Sequence, residues 1–406
     1  MKKIIKSLLS QKNYNFVKSI YRKILILFKL LISVFYILPA IILYFLNFTF
    51  MRVYANRVGH LTADMRIKIK EKIINNSKKN IIAFHIENKI ANEHILKYFD
   101  NYLFFIRSKV YGYFLLPFTW INFLNLDGHK VSASLGESQY SAIISLWGDR
   151  GSLFKITNED LELGQKFLKE IGFQEDGWFV CLHARESGYS LKSNNDDYGQ
   201  EFRNVSIDSY LPAINFILNK GGKCIRMGDE SSAEFPEIEG VFDYAKFKDK
   251  KDYLDVFLFS QCSFSLCCDS GVIELSNLFG TPAAITNLVP LSNALHGMSK
   301  NICIPKLYSF EGKLVPFKEI MNNETANYRF NHQFTDSNID LIDNSRDEIL
   351  EITREMYEIV FTNNFNDKES EILSRRFKDL FKPGHYMYGG AAKISKYFLK
   401  KYENLI

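Results

Sequence analysis

From Trp178 onward, short apolar runs alternate with stretches of helical periodicity, and this alternation restricts the fold more than any other feature of the chain. "WFVCLHA" reads as a strand, "IDSYLPAINFILNKGG" as a helix ended by Gly221-Gly222, and "KCIRMG" as a strand. "DYLDVFLFSQ" (252–261) reads as a helix, "SFSLCCDSG" as a strand, "VIELSNLFG" as a helix ended by Gly280, and "TPAAIT" as a strand. Strands separated by helices pair in parallel, with the helices covering both faces of the sheet. The strand runs are apolar throughout rather than alternating, as burial on both faces requires. The fold class is therefore α/β.

The chain has 406 residues, more than one core usually serves, so two domains are expected. Residues 52–172 form the first, with strands at "NIIAFHI" (80–86) and "LFFI" (103–106) and helices at 89–99 and 158–171, the latter with Asn158 as N-cap. "GFQEDG" (172–177) is a linker, and 173–335 hold the regular α/β pattern. Residues 336–406 add amphipathic helices near 346–361 and 368–381 and a terminal "ISKYFLKKYENL". Residues 187–204 form a polar loop after a strand, of a length often kept for function.

Residues 1–51 differ from the rest. Residues 1–50 hold eight Lys and Arg and no acid, so the net charge of +5 divides into +8 there and −3 over the remaining body. A mildly acidic body argues against nucleic-acid binding. A basic leader beside an apolar run suits an anionic membrane surface. Leu30 to Met51 is free of charge and long enough to span a bilayer. No A-x-A site follows, so cleavage is not expected. Either the segment spans and the body is exported, or Pro39 breaks it into a re-entrant or interfacial element and Lys29 snorkels, leaving the body cytoplasmic. Six cysteines without C-x-x-C spacing, most within apolar runs, read as buried thiols in a reducing compartment and favour the second.

Polar residues gather where the strands of the second domain end. His183 and Arg185 follow the first strand, Arg226, Gly228 and Asp229 the second, Asp269, Ser270, Gly271 and Glu274 a later one, and Asn287 the next. Ligands of open α/β sheets sit at these carboxyl ends. In "CCDSGVIELSNLFGTP" a strand runs into Asp269-Ser270-Gly271 and then a helix, whose free N–H groups attract anions. Gly271 allows close backbone approach, and Glu274 is placed to accept from sugar hydroxyls; a plain helix cap is the alternative. His183 and Arg185 project to one side, where Arg can clamp a diphosphate and His can donate or act as a base. Arg203-Asn204 offers a second phosphate contact. Gly59-His60 suggests a tight turn exposing an imidazole, either a catalytic base or a structural turn. His296 is expected to be structural or at the site rim, and Asp249, Asp252 and Asp255 on a solvated helix face. No D-x-D occurs, which removes the usual carboxylate pair for a divalent metal, so no metal cofactor is expected. P-loop, dinucleotide and G-x-S-x-G fingerprints are absent too.

"RVGHL" (57–61), "VCLHARESGY" (180–189), "FRNVSIDSYLPAI" (202–214), "IRMGD" (225–229) and "CDSGVIELSNLFGTPAAITN" (268–287) together resemble a bacterial glycosyltransferase family of surface-polysaccharide (O-antigen or capsule) biosynthesis. "DSGVIELSNLFGTP" is distantly similar to the donor-binding segment of lipopolysaccharide heptosyltransferases, which carry a His where this chain has Glu274. "HAR" resembles the H-x-R element with which some fucosyltransferases hold a GDP-fucose diphosphate. The resemblance implies a GT-B fold: two Rossmann-like domains facing a cleft, the second binding a nucleotide sugar, the first the acceptor, and the last helices crossing back to the first. It implies a metal-independent transferase at the cytoplasmic membrane, acting on a polysaccharide or lipid-linked acceptor. Arg185, with Arg203 or Arg226, would neutralise the leaving diphosphate, and His60 or Glu186 would serve as base. The rival reading is a catalytically silent, membrane-anchored assembly protein on the same fold.

Overall fold

The computed structural model describes residues 11–121, 140–174, 177–188, 199–362 and 368–406. Most of the loop expected over 187–204 and part of the 172–177 linker lie outside them. Seven parallel strands form the main sheet: β4 (Phe179–His183), β5 (Lys223–Arg226), β6 (Val241–Phe242), β7 (Phe264–Cys268), β8 (Ala283–Leu288), β9 (Ile302–Pro305) and β13 (Lys393–Ile394). They lie in the order β13-β9-β8-β7-β4-β5-β6. β7 and β8 are buried at every position, which explains their unbroken apolar runs. The helix Ile273–Phe279 stops where Gly280 turns left-handed, at φ 85°.

A smaller parallel sheet, β1 (Phe48–Arg52), β2 (Asn80–Phe84) and β3 (Phe104–Ile106), forms the other half. A three-stranded antiparallel sheet, β10 (Leu307–Phe310), β11 (Lys313–Leu314) and β12 (Ile339–Ile342), is appended to the main one.

Several boundaries differ from the sequence reading. The uncharged run does not continue as membrane segment to Met51: the helix Gln11–Phe45 ends first, and Phe48–Arg52 is a strand with Phe50 and Met51 buried. A division after residue 51 therefore cuts β1. Pro39 does not break the helix; it removes one N–H donor, and the flanking turns continue on both sides. Within it Ser19–Phe45, where Ala40 alone is buried, is long and apolar enough to cross a membrane. Thr157, not Asn158, caps the helix Asn158–Glu170, accepting from the Asp160 N–H. Of the helix expected at 89–99, only a 3₁₀ turn, His94–Tyr98, forms.

Of the closing helices, the first stays with the main sheet. Arg346–Phe361, started by a Ser345/Glu348 capping box, buries Ile349, Ile352 and Met356 in the core of the main sheet. The nearby crossing contact is a turn, where Ser141 Oγ donates to Met387 Sδ at 2.8 Å.

Candidate functional site

The chain leaves β4 for β5 and β6 on one side, then returns to place β7, β8 and β9 on the other. The switch falls between β4 and β7, where His183 pairs in register with Cys267. Connections diverge there and leave a crevice, the usual ligand position of such sheets. In this structure the crevice is a cleft of about 520 Å³, and the start of the helix Val58–Ile74 forms its opposite wall.

On the sheet side, His183 Nδ1 lies 3.2 Å from the Met227 carbonyl and Nε2 3.1 Å from Ser270 Oγ. A carbonyl can only accept, so Nδ1 carries the proton and Nε2 accepts from the Ser270 hydroxyl. Burial, with the Arg185 charge, lowers the His183 pKa to about 4 and keeps the ring neutral at pH 7. Arg185 is buried beside it, its N–H donating to Cys268 Sγ and its carbonyl accepting from Val205 N–H. Arg203 reaches Asp269 twice, Nη2 donating to the backbone oxygen at 2.9 Å and Nε lying 3.2 Å from Oδ2.

Of the residues singled out in the sequence, His60, His183, Arg185, Glu186, Arg203, Gly228, Asp229, Asp269, Ser270, Gly271 and Glu274 line this one cleft. Arg226, Asn204 and Asn287 do not line it. Arg226 is buried and donates to Glu186, Asp243 and the Ala233 carbonyl, so its charge is spent inside the fold. The same contact occupies Glu186, which also accepts from Ala233 N–H. Asn287 exchanges backbone and side-chain hydrogen bonds with Asn344 at φ 51°. The acidic triplet is a solvated face only in part. Asp252 accepts from Glu93 N–H, and burial raises the Asp255 pKa to about 6. Asp249 and Asp252 are exposed, and Asp255 is half-buried.

On the opposite wall Gly59-His60 is the first turn of a helix, not a tight turn. Gly59 is required for another reason: a Cβ there would lie 2.7 Å from the Gly271 Cα. The two backbones touch across the cleft. Gly59→Ala should cost about 1–3 kcal/mol through overpacking. Gly271→Ala should cost less, because its Cβ would sit 3.1 Å from Gly59. Thermal unfolding of the full chain in detergent checks the order, and equal or negligible effects would refute the contact.

Glu274 is already engaged within the fold. It meets Arg66 Nη2 at 2.6 Å, Tyr140 Oη at 3.1 Å, His296 Nε2 at 2.8 Å and Asn277 Nδ2 at 3.0 Å. Burial alone would raise its carboxyl, but Arg66 and His296 hold it well below the ordinary range. His296 stacks on Tyr140, centroids 4.1 Å apart.

Sequence reasoning missed Asp64, Arg66 and Tyr140. Asp64 is buried and its Oδ2 lies 3.3 Å from His60 Nδ1, one helical turn back. The signal was present in "HLTAD": His and Asp at i and i+4 share a helix face. Among the described residues no group of three His, Cys, Asp or Glu side chains is arranged to hold a metal.

No protein-family model matches this chain, and a comparison with curated proteins finds no match. Solved structures with a similar course exist. One is a glycosyl transferase family 9 protein from Veillonella parvula, 10% identical, TM-score 0.45, covering 76% of this chain and 96% of that one. Another is the E. coli ADP-heptose lipopolysaccharide heptosyltransferase II, 9% identical, TM-score 0.43, covering 76% and 98%. A third is the dodecameric iron-containing heptosyltransferase TibC of enterotoxigenic E. coli, 11% identical, TM-score 0.39, covering 77% of each chain. Overlaps this loose transfer no residue role to the chain.

Proposed function

We propose that the chain is a membrane-associated glycosyltransferase that moves a sugar from a nucleotide donor to a lipid-linked or polysaccharide acceptor of the bacterial surface, on the cytoplasmic face. The observation that carries this reading is the pairing of two chemistries across one cleft. Arg185, Arg203 and the backbone at Ser270-Gly271 lie on the sheet side, and the His60–Asp64 pair lies on the other.

In this reading the donor diphosphate sits at the switch point. Arg185 and Arg203 face it and supply the positive charge. The acceptor hydroxyl loses its proton to His60 and attacks the sugar carbon. The bond to the diphosphate breaks, and that leaving group stays with the arginines. Of the two base candidates His60 takes the role, since Glu186 is held by Arg226. No metal is assigned, because cationic side chains already face the leaving group and no D-x-D is present.

The test is the melting temperature of the full chain in detergent with UDP, GDP, CMP, ADP and dTDP. One nucleotide at a hundredfold over its Kd should add about 2.7 kcal/mol of stability. Arg185→Ala should abolish the shift while remaining folded. A folded protein that responds to none of the five is either the silent assembly protein or an enzyme with a lipid-phosphate donor, and the nucleotide-donor reading fails.

A further inference from the structure

The short helix Lys109–Leu115 turns Val110, Tyr111, Tyr113 and Phe114 outward, each more than half exposed, and Phe104 beside it is 75% exposed. A soluble surface rarely gathers so many large apolar side chains in one place. The exposure is built in, not frayed. Gly112 presses on the carboxyl end of β2 so closely that a Cβ would lie 1.8 Å from the His85 carbonyl. His85 Nε2 lies 2.7 Å from the Arg107 carbonyl, and Lys109 Nζ donates to Asn88 Oδ1 at 2.8 Å.

The patch continues into the long apolar helix. Phe118, in the turn that follows, packs edge-on against Tyr36 of that helix at 5.0 Å and stacks on Phe50 at 4.5 Å. Lys29 lies over the Trp120 ring, 5.3 Å from its centre. Tyr, Trp and Lys are the side chains that settle at lipid headgroup level, with Phe and Val reaching below them. Exposed Arg107 and Lys109 add the charge that anionic headgroups attract. A second protein chain would explain the apolar area but not its continuity with the long helix through a Trp–Lys contact.

We infer that residues 104–120 form a second membrane contact, an aromatic platform resting in the lipid interface beside the long helix. The inference builds on the membrane-associated reading above and names the acceptor class. Asn88, which the platform grips, adjoins Lys89, Ala91 and Asn92 of the cleft wall. The mouth of the cleft is thereby held at the bilayer surface, where a lipid-linked sugar presents its hydroxyl to His60.

All six native cysteines are buried, so an environment-sensitive maleimide dye will report single introduced sites. We would label Phe114→Cys, Phe35→Cys on the long helix, and Lys313→Cys on the appended sheet as the aqueous control. Each full-length protein is reconstituted into vesicles of phosphatidylethanolamine and phosphatidylglycerol carrying doxyl-labelled lipid. Blue-shifted, lipid-quenched emission at positions 114 and 35, but not at 313, is the expected result. Quenching at 35 with iodide access at 114 overturns the platform and leaves the anchor. Shielding of 114 from iodide without lipid quenching means a second copy covers it, which also overturns the inference. If neither 35 nor 114 is quenched, membrane association itself fails. The nucleotide-induced melting shift is scored separately, so loss of the platform is distinguishable from loss of the donor site. Tyr111→Ser with Phe114→Ser should leave that shift unchanged and reduce transfer to membrane-embedded acceptor.

Discussion

Arg66→Met is expected to destabilise the protein by about 3–5 kcal/mol, because it strands a buried carboxylate without its cation. Arg66 is wholly buried and Glu274 nearly so, and the pair joins the two halves at 2.6 Å. Glu274→Leu should cost a similar amount, since it leaves the guanidinium uncompensated. The informative measurement is the double variant. Arg66→Met with Glu274→Leu removes both charges together and should lie closer to wild type than either single change. Thermal unfolding of the full chain in detergent gives all three values. Singles that cost under about 1 kcal/mol would mean that water reaches the pair. The sign of the pH effect follows from the lowered Glu274 carboxyl. Its contribution is complete above the unfolded-state value of about 4.3 and is lost as pH falls toward the lower folded value. Wild type should therefore lose stability below about pH 4 by an increment that the double variant lacks.

The same pair shows where sequence reasoning stops. The strands β4, β5, β7 and β8 were legible because burial on both faces leaves continuous apolar runs. His183, Arg185, Ser270 and Gly271 were legible because strand ends are where an α/β sheet holds ligands. The ion pair of Glu274 was not legible because its partner Arg66 lies 208 residues away, in a run that looks like a basic helix face. Asp255 was misread similarly: helical spacing suggested solvent, but Asn92 of the other half reaches it. Helical period tells which residues share a face, not what packs against that face. Gly59 was assigned to a turn because glycine is so often needed there. Here the need is steric, from a backbone contact that no local pattern encodes.

His60→Ala is expected to lower transfer by about 10²–10⁴-fold, the usual weight of a general base, while the nucleotide-induced melting shift persists. Asp64 gives the sharper test. Its Oδ2 faces His60 Nδ1, and an ionised carboxylate can only accept. It therefore holds the tautomer whose Nε2 lone pair takes the proton. Asp64→Asn is nearly isosteric but can offer an N–H, which favours the opposite tautomer, so kcat should fall with KM for the donor unchanged. Asp64→Glu should recover part of the loss. Added imidazole should partly rescue His60→Ala and do nothing for Arg185→Ala, whose defect is in donor binding. Transfer is read as nucleoside diphosphate release with host membranes as the acceptor source. If Asp64→Asn lowers stability and kcat together, and imidazole rescues nothing, the pair is a structural cap on the helix. A different group would then have to accept the proton. Glu186 is next in reach, and Arg226→Met would have to release it before it could act.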